Sequence, residues 1–144
     1  MRALLDVNVL IALMDAGHVH HQIAMKWLDK NLSTGWASCP ITQNGCIRIM
    51  SQPSYPGALP VAQVAERLAE ASESAEHEFW PDSISLLDSS QFNWSSMLAY
   101  RQVTDIYLLT LALRHQGRFV TLDRCITLDS VKGASVGQLV CLHS

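Results

Sequence analysis

Asp6 in RALLDVNVL, Asp105 in RQVTDIYLLTLAL and Asp123 in RFVTLDRC stand where this chain switches from an apolar strand into a loop or helix. Asp6 and Asp123 each follow a short hydrophobic run of strand type, and Asp105 opens the most apolar helical stretch. In a parallel α/β sheet, ligands gather outside the carboxyl ends of the strands, so carboxylates from distant parts of a chain can meet there. No lysine lies near any of the three, and a divalent cation is the simplest way to hold such charges together. Oxygen ligands with room for water suit Mg2+ or Mn2+ rather than zinc. Such an ion activates a water and stabilises charge on a phosphate under attack. Singly, each aspartate is equally explained as a strand terminator or a first-turn helix residue. Their joint placement points to a shared site.

Polar neighbours extend this set. Asn8, two residues after Asp6, either holds a metal-bound water, tethers the neighbouring backbone or caps the following helix. Thr104 and Thr121 flank the other two aspartates, where capping, strand propensity or support of a metal ligand would each place a threonine. Arg101 and Arg124, each close to a site aspartate, are candidates for phosphate contacts or for structural pairing with a carboxylate. His18, His20 and His21 form an HxHH cluster that suits helix entry and packing, or a metal or RNA contact.

The elements that must carry these residues alternate. Residues 2–5 predict a strand, and Val7 to Met14 a helix ending near Gly17. A second helix spans His20 to Lys30, with Ile23, Ala24, Trp27 and Leu28 on one face. Gly35 to Cys39 is a second strand, and Pro40 starts the helix that runs through Met50. Gln52 to Pro60 is a loop, Val61 to Glu73 an amphipathic helix with a glutamate-rich solvated face, and His77 to Trp80 a third strand. Residues 83–100, with Ile84, Leu86, Leu87, Trp94, Met97 and Leu98, suggest one or two short helices. Thr104 is the expected N-cap of the last helix, with His115 in its final turn and Gly117 at its left-handed C-terminal position. Arg118 to Leu122 and Gly137 to Leu142 complete the strands. Strands alternating with helices predict an α/β sandwich, a parallel sheet covered on both faces, as one domain over residues 1–144.

With 49% hydrophobic and 16% charged residues, disorder is excluded. No apolar run reaches the length of a membrane span, and Asp6 and Asn8 interrupt the N-terminal one, against a cleaved signal. Cys39, Cys46, Cys125 and Cys141 lack ligand spacing and fit small buried hydrophobes in a reducing cytoplasm. A net charge of −3 advertises no general basic surface, although four of the seven arginines share the segment holding Asp105 and Asp123.

The stretches LLDVNVLIAL, HVHHQIAMKWL, CPITQNGCIRI, RQVTDIYLLTLA and FVTLDR, in that order, resemble the PIN-domain ribonucleases, particularly the VapC-type toxins of bacterial toxin–antitoxin pairs. The resemblance covers nearly the whole chain and implies a PIN-like three-layer sandwich. It also implies an Mg2+- or Mn2+-dependent endoribonuclease acting on RNA, blocked by a cognate VapB-type antitoxin, dimeric and cytoplasmic. By motif the family's acidic residues fall on Asp6, Asp105 and Asp123, with Asn8 and Thr104 or Thr121 in support. The family often has a glutamate near the start of the helix after the second strand; Gln43 stands there, bringing an amide without charge. That difference implies a weaker second metal site, to be tightened by Gln43→Glu. Asp82 is either a fourth carboxylate or an exposed turn residue, and Arg48 is read as structural. The alternative is a PIN-like interaction module without activity. A nucleotide-binding domain is disfavoured, because Asp-Val-Asn-Val replaces the glycine-rich loop after the first strand.

Overall fold

Leu4, Ala37 and Phe119 point to one face of a sheet, while Ala3, Leu5, Trp36 and Val120 point to the other, as the two-residue strand period requires. Both sets are buried, so the sheet is covered on both sides. The computed structural model describes residues 1–96, 99–124 and 127–143. Its strands are β1 (Ala3–Leu5), β2 (Trp36–Ser38), β3 (His77–Phe79), β4 (Arg118–Thr121) and β5 (Leu139–Cys141). They lie in the order β3-β2-β1-β4-β5, and every pairing is parallel. Helices α1 (Val7–Met14), α2 (His21–Asn31), α3 (Pro40–Met50) and α4 (Val61–Ser72) pack on the face of Leu5 and Val120. Helix α5 (Val103–Arg114) covers the face of Leu4 and Phe119. This is the expected three-layer α/β sandwich.

The sequence-based reading holds for most elements and differs from the structure in four places. The one or two short helices expected over residues 83–100 are present as 3-10 turns, Trp94–Ser96 and Tyr100–Gln102, and no α-helix forms among residues 83–96. Ser85 and Asp88 accept hydrogen bonds from the backbone of Leu87 and Ser90, local turns that compete with helix. Ile84 and Phe92 still anchor this segment in the core, whereas Leu87 is exposed. Met97 and Leu98 lie outside the described residues, as does Cys125; Cys39 and Cys46 are buried, Cys141 is half-buried, and all three are free thiols.

At the start of α5 a turn of 3-10 helix, Tyr100–Gln102, leads into the helix, so Gln102 and not Thr104 holds the N-cap position. Thr104 sits inside the first turn. At the other end, Gln116 adopts φ 56°. Its N–H donates to Leu113 and the Gly117 N–H to Ala112 at 2.9 and 2.8 Å, the paired bonds of a Schellman ending. The left-handed residue is therefore Gln116. Gly117 serves proximity instead: a Cβ there would lie 2.6 Å from the Arg2 carbonyl and 2.9 Å from the Trp80 ring. Before β5, Val136–Gln138 is likewise a 3-10 turn, which shortens the expected last strand.

Candidate metal centre and substrate cleft

β1 and β4 are neighbours at the point where the strand order reverses, the place in an open α/β sheet where a crevice forms. Asp6 leaves β1 there. Its N–H still bonds to Val120 across the sheet, and its extended backbone makes it the N-cap of α1. Asp6 is 4% exposed, and its carboxylate is fixed on both oxygens. Oδ1 accepts the Val7 N–H at 2.7 Å, and Oδ2 accepts the Thr121 hydroxyl at 2.6 Å. Thr121 is fully buried, and its oxygen also accepts the Asp123 N–H at 3.0 Å. One hydroxyl thus positions two aspartates. Asn8 accepts the Leu122 N–H at 3.3 Å, tethering the loop that carries Asp123. Asp105 enters from the first turn of α5. Asp6, Asp105 and Asp123 each offer an oxygen, and these oxygens lie within 4.8 Å of one another.

The electrostatics show what such convergence costs. Burial, with a smaller push from Asp123, raises the Asp6 pKa to about 6 against the lowering effect of its Thr121 and Val7 hydrogen bonds. Burial first, and then Asp6 and Asp123, raise Asp105 to about 8. Among the described residues no Lys, Arg or His forms an ion pair with the three. A set of three hard carboxylate donors with no ion-pair partner among the described residues fits Mg2+ or Mn2+.

These residues line a cleft of about 410 Å³, whose walls also include Asn8, Thr104, His18, Arg48 and Tyr55. The other sequence candidates disperse. Gln43 is not brought to the aspartates: its Nε2 donates to Ser38 Oγ at 3.0 Å, and it lines a separate groove with Ala65 and Leu68 of α4. The geometry therefore removes the reason for expecting Gln43→Glu to tighten ion binding. Arg101 is exposed, its guanidinium 5.7 Å from the Tyr100 ring centroid, and neither it nor exposed Arg124 lines the cleft. Asp82 stands in an adjoining pocket. Of the histidines, His21 binds the Ala12 carbonyl at 2.7 Å and is a helix-entry residue, whereas His18 lines the cleft and accepts the His20 N–H.

Arg48 and Tyr55 are cleft residues that sequence reasoning did not propose for the site. Tyr55 donates its hydroxyl to Asp15 at the rim. Thr121 was legible only as a flanking threonine, yet it is the tightest tie in the centre. Thr121→Val keeps the shape but removes both bonds, and Mn2+ affinity is expected to fall about 10–100-fold. Calorimetric titration checks this, and an unchanged affinity would count against a positioning role.

The PIN domain family model matches residues 3–127. Ribonuclease VapC44 of Mycobacterium tuberculosis is 50% identical over 142 residues, which span 99% of this chain and 100% of that protein. The crystal structure of Mycobacterium tuberculosis VapC20, described as a Sarcin-Ricin loop cleaving toxin, superposes with a TM-score of 0.56 at 12% identity, covering 79% of this chain and 83% of its own. VapBC2 from Rickettsia felis, solved bound to a DNA fragment from their promoter, gives a TM-score of 0.56 at 12% identity over 85% of this chain and 89% of that one. At that identity the two structures speak for the fold, and the family match and VapC44 speak for descent. The chain belongs to the PIN domain family and, within it, to the VapC-type ribonucleases.

Proposed function

We propose that this protein is a divalent-cation-dependent endoribonuclease, the toxin of a toxin–antitoxin pair, built as one domain over residues 1–144. The observation that carries the reading is the meeting of Asp6, Asp105 and Asp123 at the switch point of the sheet, where none of the three has an ion-pair partner among the described residues. These three residues hold Mg2+ or Mn2+. Bound there, the ion supplies an acidified water and offsets charge on the phosphodiester as it is hydrolysed. Asp6 is kept in one orientation by Thr121 and Val7, so little reorganisation is left for the reaction step. Asn8 holds the Asp123 loop against α1, and Thr104 offers a hydroxyl to substrate from the first turn of α5. This convergence favours the enzyme over an inactive interaction module.

The VapC names of the relatives support RNA as substrate, and the paired name of VapBC2 supports a VapB-type antitoxin as partner. No helix among the described residues is long and apolar enough to cross a membrane. A homodimer in the cytoplasm is the remaining part of the reading, and it follows the family resemblance. The test is cleavage of a single-stranded RNA pool by purified protein. Cutting is expected with Mg2+ or Mn2+, to stop with EDTA and to return when the ion is restored; cutting at full rate in EDTA would refute the metal requirement.

A further inference from the structure

The cleft with the aspartates does not end at Arg48. A second pocket of about 330 Å³ shares Val7, Thr104 and Arg48 with it and adds Asn44 and Asp82. Each is of a size that holds a small-molecule moiety such as one nucleotide. Asn44 and Arg48 are four residues apart on α3, so they share a face. Both are exposed, and among the described residues neither makes a side-chain hydrogen bond or an ion pair. The intervening Gly45 explains how that face reaches the site. A Cβ there would lie 2.6 Å from Val7 Cγ2, so the glycine lets α3 close onto the start of α1, next to Asp6. An unpaired guanidinium beside three carboxylates is what a substrate phosphate would find attractive, and Arg101 and Arg124 are not on these walls.

Resting on the ribonuclease reading, we propose that Arg48 binds the phosphate flanking the scissile one, and that the Asn44–Asp82 pocket receives the adjoining nucleobase and selects guanine. Single-stranded RNA is read through splayed bases hydrogen-bonded on their Watson–Crick edges. An ionised carboxylate only accepts hydrogen bonds. Guanine alone among the four RNA bases presents two adjacent N–H donors on that edge, matching Asp82. The Asn44 amide, one turn before Arg48, supplies both a donor and an acceptor for the remainder of the nucleotide. Arg48 is thus a positioning residue and Asp82 a specificity residue.

The experiment cleaves a randomised single-stranded RNA pool with Mn2+, maps the cut ends by sequencing, and measures kcat and KM on one recovered sequence. Arg48→Ala is expected to raise KM about tenfold or more with kcat changed less than about threefold, and Arg48→Lys to recover part of the loss. Wild type should enrich guanosine next to the cut, and Asp82→Asn should abolish that enrichment. A KM within about twofold of wild type for Arg48→Ala, or a guanosine preference retained by Asp82→Asn, would overturn the subsite. If wild type cuts no RNA, the nuclease reading fails separately. Anisotropy of a fluorescein-labelled, guanosine-containing RNA ten-mer in Ca2+ then decides the subsite: weaker binding by Arg48→Ala upholds it, and equal binding overturns it.

Discussion

Asp105→Asn will make the metal-free protein more stable while removing its activity. Burial, Asp6 and Asp123 raise the Asp105 pKa to about 8, so at neutral pH the folded protein must keep a proton there that the unfolded chain has released, which costs stability. Asparagine has the same shape and no charge. Its Nδ2 also supplies permanently the donor toward Asp123 that aspartate offers only when protonated. Because Asp105 is only half-buried, solvent screening limits the gain to about 1–2 kcal/mol, or about 3–6 °C in Tm for a chain of this size. The same change removes a third of the carboxylate donor set. RNA cleavage is expected to fall at least about a thousandfold, on the order of 4 kcal/mol of barrier. Thermal melting in EDTA and single-turnover cleavage in Mn2+ read the two effects. A variant with a lower Tm and unimpaired cleavage would contradict the electrostatic account on both counts.

Metal-free stability will decline as the pH rises from about 4 to about 8. The folded-state pKa values of about 6 for Asp6 and about 8 for Asp105 exceed the ordinary 3.8, so the folded protein holds protons that the unfolded chain has released. The contribution of these groups is complete below the unfolded value and is lost as pH climbs through about 6 and then about 8. A bound cation takes over the role of those protons. Mn2+ should therefore raise Tm little at pH 5 and most at pH 8 and above. Proton release per ion should be about two at pH 5, about one at pH 7 and near zero at pH 9. Calorimetry in two buffers of different ionisation enthalpy measures it. Release that stays constant across this range would show that the aspartates are not the groups displaced.

Most of the fold was legible because short apolar runs ended by Asp, Gly or Pro leave little choice of element. Asp6 and Asp123 could be recognised as strand-end residues for that reason. That they meet depends on β1 pairing with β4 across more than a hundred residues, a relation no local pattern contains. Helical phase explains the residues that moved. Gln43 and Asn44 are adjacent in sequence but about 100° apart around α3, so Gln43 turns toward Ser38 and α4 while Asn44 joins Arg48 beside the cleft. Closeness in sequence to an aspartate was the argument for Arg101 and Arg124, and it did not translate into a place on the cleft wall. At the C-terminus of α5 the glycine signal was real but its reason was different. Gly117 is small to let Trp80 and Arg2 approach, and Gln116 takes the left-handed turn. Between Ser85 and Ser90, side-chain bonds to the backbone overrode a weak apolar periodicity.

Anomalous diffraction from crystals soaked in Mn2+ shows whether Asp6, Asp105 and Asp123 together hold the cation required for cleavage. A manganese peak within about 2.1 Å of one oxygen from each of the three carboxylates is the predicted result. Crystals of protein that cleaves RNA in the same Mn2+ buffer, but show no peak at these aspartates, would contradict it.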